Sequence, residues 1–197
     1  MIRPGPRLVG QRYASFSRRR VALVVLMGKD MRILRSALMG AVAGAAGTLA
    51  LDMASYADMA VRGRPASSVP ARLAAVLADR FGISQLSTDK AASDEKARNR
   101  QSGVGALLGY VTGLGVGTAY GLLRPHVRGV PTPLAGVGVG LAAMAASDIP
   151  IVALGVSDPA TWGVSGWLSD LVPHLAYGIV TAATNDGMSR CTPIRES

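Results

Sequence analysis

The chain has 197 residues, 49% of them hydrophobic and only 17% charged, with a mean hydropathy of +0.31 and a net charge of +9. That is too apolar for an ordinary soluble domain, and the single cysteine, Cys191, excludes an internal disulfide framework or a cysteine-based metal cluster. The positive charge does not point to nucleic acid, because it is segregated. Nine of the 21 Lys and Arg residues lie at or before Arg35, eight between Arg62 and Arg100, two at Arg124 and Arg128, and two at Arg190 and Arg195. Cations kept out of long apolar runs are the pattern of a multi-pass membrane protein.

Residues 1–30 carry Arg3, Arg7, Arg12 and Arg18-Arg19-Arg20 ahead of a short apolar run, Val21 to Met27. The run imitates a signal core. At seven residues it is at the short limit, and Gly28-Lys29-Asp30 offers no small-x-small cleavage site. The expectation is a basic, disordered arm that is not cleaved, with Met27 and Met31 as alternative starts.

Span one is expected over about 33–61. It is rich in small residues, with Gly40, Ala43, Gly44 and Gly47 on one face, and its last third is interrupted by Asp52 and Asp58. Arg62-Gly63-Arg64-Pro65 ends it. Ser67 or Ser68 can then cap a short amphipathic helix with Pro70 in its first turn and Leu73, Val76, Leu77 and Phe81 at helical spacing. That helix either lies on the membrane surface or docks on the bundle. The mixed-charge run from Thr88 to Arg100 reads as a solvated linker.

Span two, about 101–123, carries a glycine ladder at four-residue spacing: Gly105, Gly109, Gly113, Gly117 and Gly121. In water each interior glycine costs roughly 1 kcal/mol of helix stability relative to alanine. In a bilayer the backbone must bond to itself, so the helix persists and the glycines leave a groove for a close neighbour. That neighbour is a helix of the same chain or of a second copy. Span three, about 133–156, holds Asp148 and Pro150 near its end. Span four, about 160–184, starts after the cap Asp158-Pro159, has Trp162 and Trp167 near its beginning, and contains Asp170, Pro173 and His174. Residues 188–197 form a tail.

These elements give an all-α fold: a four-span transmembrane bundle over 31–187, with an amphipathic helix between spans one and two. The basic N-terminal segment, the 124–132 loop and the tail place both termini in the cytoplasm. The 155–163 loop has no Lys or Arg. The 62–100 loop dissents, with eight cations diluted by four acids on what would be the outer side.

Alternating spans bring Asp52, Asp58, Asp148 and Asp170 to one side of the membrane, with His174 one turn from Asp170. Charges at that depth are costly and usually face a bundle interior or an aqueous cavity. Asp52, Asp148 and Asp170 are therefore expected to converge on an inward-facing vestibule that handles protons or cations. The structural alternative is local hydrogen bonding, most of all for Asp58 and Asp170. Asp170, His174 and either Asp52 or Asp148 offer mixed ligands, but one histidine with scattered acids is not a specific metal pattern, and no metal is assigned. No G-x-S-x-G, P-loop, H-E-x-x-H or C-x-x-C occurs, so no enzyme and no cofactor are assigned.

The segment Ala43-Gly44-Ala45-Ala46-Gly47-Thr48, Asp52, Tyr56, Asp58 and Arg62-Gly63-Arg64-Pro65-Ala66-Ser67-Ser68 resembles the first helix of small multi-pass bacterial membrane proteins of unknown function. The resemblance implies an inner-membrane location and carries no activity. The expected function is helix packing or interaction within the membrane, with the bilayer and a second copy of the chain as partners. The alternative is a small proton-coupled transporter or cation conductor using the intramembrane carboxylates.

Overall fold

The computed structural model describes residues 6–191, with side chains from Gly28 onward. Among the described residues there are six α-helices and no strand. Helix α1 runs from Pro6 to Arg62. Its backbone passes through the segment that composition marks as a disordered arm, where no Gly or Pro interrupts the chain between Gly10 and Gly28. Gly63, with φ of 64°, ends it in the left-handed conformation that favours glycine.

Helix α2, Val69–Arg80, docks on a later helix, α4. The expectation of a leucine and phenylalanine face is corrected. The buried residues are Ala74, Ala75 and Ala78, while Phe81 is 77% exposed. Small residues win because the approach is close. A methyl group on Gly105 of α4 would sit 2.5 Å from the Pro70 carbonyl carbon.

The stretch from Thr88 to Arg100 is mostly exposed, as its charge implies, but the linker is corrected, because the stretch is helical. Helix α3, Thr88–Ser93, is capped by Ser87, whose hydroxyl accepts from the Lys90 N–H. Helix α4, Glu95–Leu123, is capped by Asp94, whose carboxylate accepts from the Lys96 N–H at 2.9 Å. Gln101 then ties the segment down, its amide donating to the carbonyls of Leu86 at 2.9 Å and Ser87 at 3.2 Å. Helix α5 is Thr132–Ala153 and contains Pro150, and α6 is Gly163–Cys191.

Helices α1 and α5 run one way, α4 and α6 the other. Helix α1 packs on both α4 and α6, and α5 packs mainly on α6. The contacts are made by backbone. A methyl on Gly44 would lie 2.6 Å from the Gly113 carbonyl oxygen, and one on Gly117 would lie 2.6 Å from that of Gly40. On the other side of the bundle, a methyl on Gly140 would lie 2.6 Å from the His174 carbonyl oxygen, and one on Gly136 would lie 2.8 Å from Ile179 Cα. The ladder does not make five equivalent contacts. Gly113, Gly117 and Gly121 face α1, Gly105 faces α2, and Gly109 meets nothing within 4 Å. A four-residue step overshoots one turn by roughly 40°, so the stripe winds around the helix.

The distribution of side chains is inverted relative to a soluble domain. The interior is mostly Ala and Gly around Tyr177 and Tyr120, while Leu38, Leu49, Leu107, Leu134, Leu141 and Ile179 are exposed. Among the described residues, three helical stretches are long and apolar enough to cross a membrane: Gly28–Arg62, Glu95–His126 and Thr132–Ala153. Helix α6 is as long as α4, at 29 residues. Ser165, Ser169, Asp170, His174, Asn185 and Asp186 interrupt its apolar sequence, and it is not among the three.

These contacts separate two otherwise similar substitutions. Gly117→Ala forces a methyl into the α1 backbone and should destabilise by about 1–3 kcal/mol, the usual cost of overpacking. Gly109→Ala meets open space and should be neutral or stabilising by up to about 1 kcal/mol through helix propensity. Thermal unfolding in detergent measures both, and equal losses would contradict the assignment of the ladder to the α1 interface.

Candidate functional site

The four acids do lie toward one end of the bundle, but they form three separate arrangements. Asp58 is fully answered. Arg62, one turn on, donates Nε to Oδ1 and Nη2 to Oδ2, both at 2.6 Å, and Arg64 adds a contact from the connection beyond. Arg62 also donates to Ser165 at 2.6 Å and to Ser169, so this cluster ties the end of α1 to the start of α6. Asp52 accepts from the Tyr110 hydroxyl of α4 at 3.2 Å. The expected convergence of Asp52 with Asp148 and Asp170 is therefore corrected. The turn of α1 that carries Asp52 meets α4, whereas Asp148 lies on α5 and pairs toward α6.

Asp148, Asp170 and His174 do come together. The carboxyls of Asp148 and Asp170 are close enough to interact electrostatically across α5 and α6. His174 Nδ1 lies 2.8 Å from the Asp170 carbonyl oxygen and 3.2 Å from its carboxylate Oδ1. The contact with the carbonyl requires a proton on Nδ1, since a carbonyl oxygen only accepts. His174 is buried, Asp170 is half-buried, and Asp170 Oδ2 is buried without a hydrogen-bond partner. A carboxyl pair beside an imidazole can hold and pass a proton or draw in a cation. Among the described residues, no three His, Cys, Asp or Glu side chains are placed to hold a metal ion together.

Two further polar sites escape the sequence reading. At the bundle centre, the Tyr177 hydroxyl donates to the Gly113 carbonyl at 2.6 Å, across from α6 to α4, and Tyr177 is 1% exposed. At the opposite end from the acids, Arg124 grips Asp186 with Nε to Oδ1 at 2.8 Å and Nη2 to Oδ2 at 2.6 Å, and the Thr132 hydroxyl donates to the same carboxylate at 2.6 Å. Arg124 also donates to the carbonyls of Val127 at 2.9 Å and Val130 at 3.0 Å, which folds the connection between α4 and α5. The Arg124 hydrogen bonds hold the Asp186 carboxyl below the ordinary carboxylate range, against the opposing effect of burial. This contribution is present at neutral pH and is lost as pH falls through the depressed value. The only sequence signal for it is a lone acid two residues past the expected end of span four.

Comparison with protein-family models, with curated proteins and with solved structures finds no match.

Removing Asp186 leaves the half-buried Arg124 guanidinium without its carboxylate and the Thr132 hydroxyl unpaired. Asp186→Ala should therefore destabilise by about 3 kcal/mol or more. Thermal unfolding at neutral pH checks this, and a change within about 0.5 kcal/mol, the scale of an ordinary surface substitution, would contradict the structural role assigned to the pair.

Proposed function

We propose that the chain is a four-span protein of the inner membrane, with both termini cytoplasmic, that works through helix packing and interaction rather than catalysis. The single observation that carries this is the inverted surface: large apolar side chains outside, glycine and alanine inside. In water this would expose a large apolar surface, whereas in lipid it costs nothing and the small residues allow close packing. For α6 the argument is positional. It runs alongside α1 from the Arg62–Ser169 contact at one end to the level of Gly47 and Thr181, and meets Arg124 at the other. Val164, Leu168 and Val172 form an exposed apolar stripe along it. A helix of about 43 Å at 1.5 Å per residue, held parallel to a spanning helix, crosses the same core. The rings of Trp162 and Trp167 meet at 5.1 Å, tilted by 53°, at its start, where aromatic residues settle at a membrane interface. The partner is another membrane helix or a second copy of the chain.

A second reading is a proton or cation relay, and one observation favours it. Asp148, Asp170 and His174 are gathered on facing helices, and one Asp170 oxygen lacks a partner. In that case the protein in liposomes dissipates an imposed proton gradient and Asp170→Asn abolishes this while the fold persists. Dissipation unchanged by Asp170→Asn would eliminate the relay.

The primary reading is tested by topology. A reporter active only in the cytoplasm, fused after Met31, Arg128 or Cys191, should be active, and the same reporter after Ser157 should be silent. Activity after Ser157 would overturn the four-span arrangement or its orientation.

A further inference from the structure

At the end of the bundle opposite the acids, a cavity of about 860 Å³ opens between α1, the connection from α4 to α5, and the last turns of α6. Arg32 and Arg35 line it from α1, Arg124, His126 and Arg128 from the connection, and Arg190 from α6. Asp186 is the one acid in the lining, and it is held by Arg124. The wall therefore carries a clear surplus of positive charge, on three separate segments whose cationic side chains converge on one space. Arginine forks suit phosphate oxygens. The lining also holds a specific polar vacancy of hydrogen bonding. Asn185 is 3% exposed, and its Oδ1 is buried without a partner. A buried acceptor of this kind is costly unless something donates to it.

We propose that this cavity binds a phosphate-bearing anion, with Arg128 and Arg190 on the phosphate oxygens and a hydroxyl of the ligand donating to Asn185. On the topology above, the cavity opens at the cytoplasmic interface. Basic pockets between helices there take anionic lipid headgroups. Free phosphate shares the chemistry, and its binding does not depend on the membrane reading. The site is independent of the relay reading, since it shares no residue with Asp148, Asp170 or His174, while its lipid form rests on the proposed topology.

The test uses the purified full chain in a neutral detergent, titrated separately with phosphatidylglycerol, phosphatidylcholine and inorganic phosphate, with binding and thermal unfolding both recorded. Phosphatidylglycerol should bind saturably and raise the melting temperature, and phosphatidylcholine should not. Arg128→Gln combined with Arg190→Gln should weaken binding roughly thirtyfold, taking about fivefold for each interfacial cation. The matching pair of Lys substitutions should retain most of the affinity, which separates lost charge from lost fold. Inorganic phosphate binding with the same dependence on Arg128 and Arg190 would assign the site to free phosphate, and phosphatidylglycerol binding alone would assign it to lipid. Equal binding of phosphatidylcholine, binding indifferent to the Gln pair, or no binding of either phosphate source would overturn the proposal.

Discussion

The structure depends on how closely two backbones can approach when nothing but hydrogen stands between them. Gly40 and Gly44 on α1 lie against Gly113, Gly117 and Gly121 on α4, and Gly136 and Gly140 on α5 lie against Gly178 on α6. Lipid tails are as apolar as leucine, so burying leucine gives helices no reason to associate in a membrane. Close approach does, through dispersion contacts summed along the seam. The large apolar residues are then free to face outward, and they do. The same closeness lets Tyr177 reach the Gly113 carbonyl and leaves Thr181 wholly enclosed.

Many polar groups of the bundle are answered from within, as lipid surroundings would require. The hydroxyls of Thr48, Thr112, Thr118, Ser147 and Ser189 each donate to the carbonyl four residues back, on their own helix. The two strong ion pairs stand at opposite ends, Asp58 with Arg62 and Arg64, and Asp186 with Arg124. Each joins α6 to another helix, the first through Ser165 and Ser169 and the second directly. These contacts give α6, the long helix outside the three apolar stretches, a fixed place in the bundle. Asp148, Asp170 and His174 are the exception. They are gathered without a cation, and that is why the relay reading rests on them and not on Asp52 or Asp58.

The helical character, the small-residue faces and the shared side of the four acids were all legible in the sequence, because each follows from spacing along one helix or from the alternation of direction. Partners were less legible. Nothing in the spacing of Gly109 distinguishes it from Gly113, since which glycine meets a neighbour depends on where the neighbour crosses. Asp52 and Asp148 share a side but belong to different seams, and depth alone cannot separate them. The Asp58–Arg62 pair was present at i,i+4, yet Arg62 was counted as the stop of the span and not as a member of its last turn. The caps at Ser87 and Asp94 were also readable. The density of charge around them made the segment look like a solvated linker, although Ala97 and Gln101 turn inward.

The central claim is that the glycine seam closes within one chain, and disulfide trapping across it is the most direct measurement. A Cβ on Gly113 would lie 3.5 Å from Thr48 Cβ, at the short edge of the separation a disulfide requires, roughly 3.5–4.5 Å. With Cys191→Ser removing the native thiol, Thr48→Cys paired with Gly113→Cys should oxidise in membranes to a cross-linked monomer. Thr48→Cys paired with Gly109→Cys should remain reduced. A cross-link found only between two copies, or one formed equally well from Gly109, would contradict the fold described here.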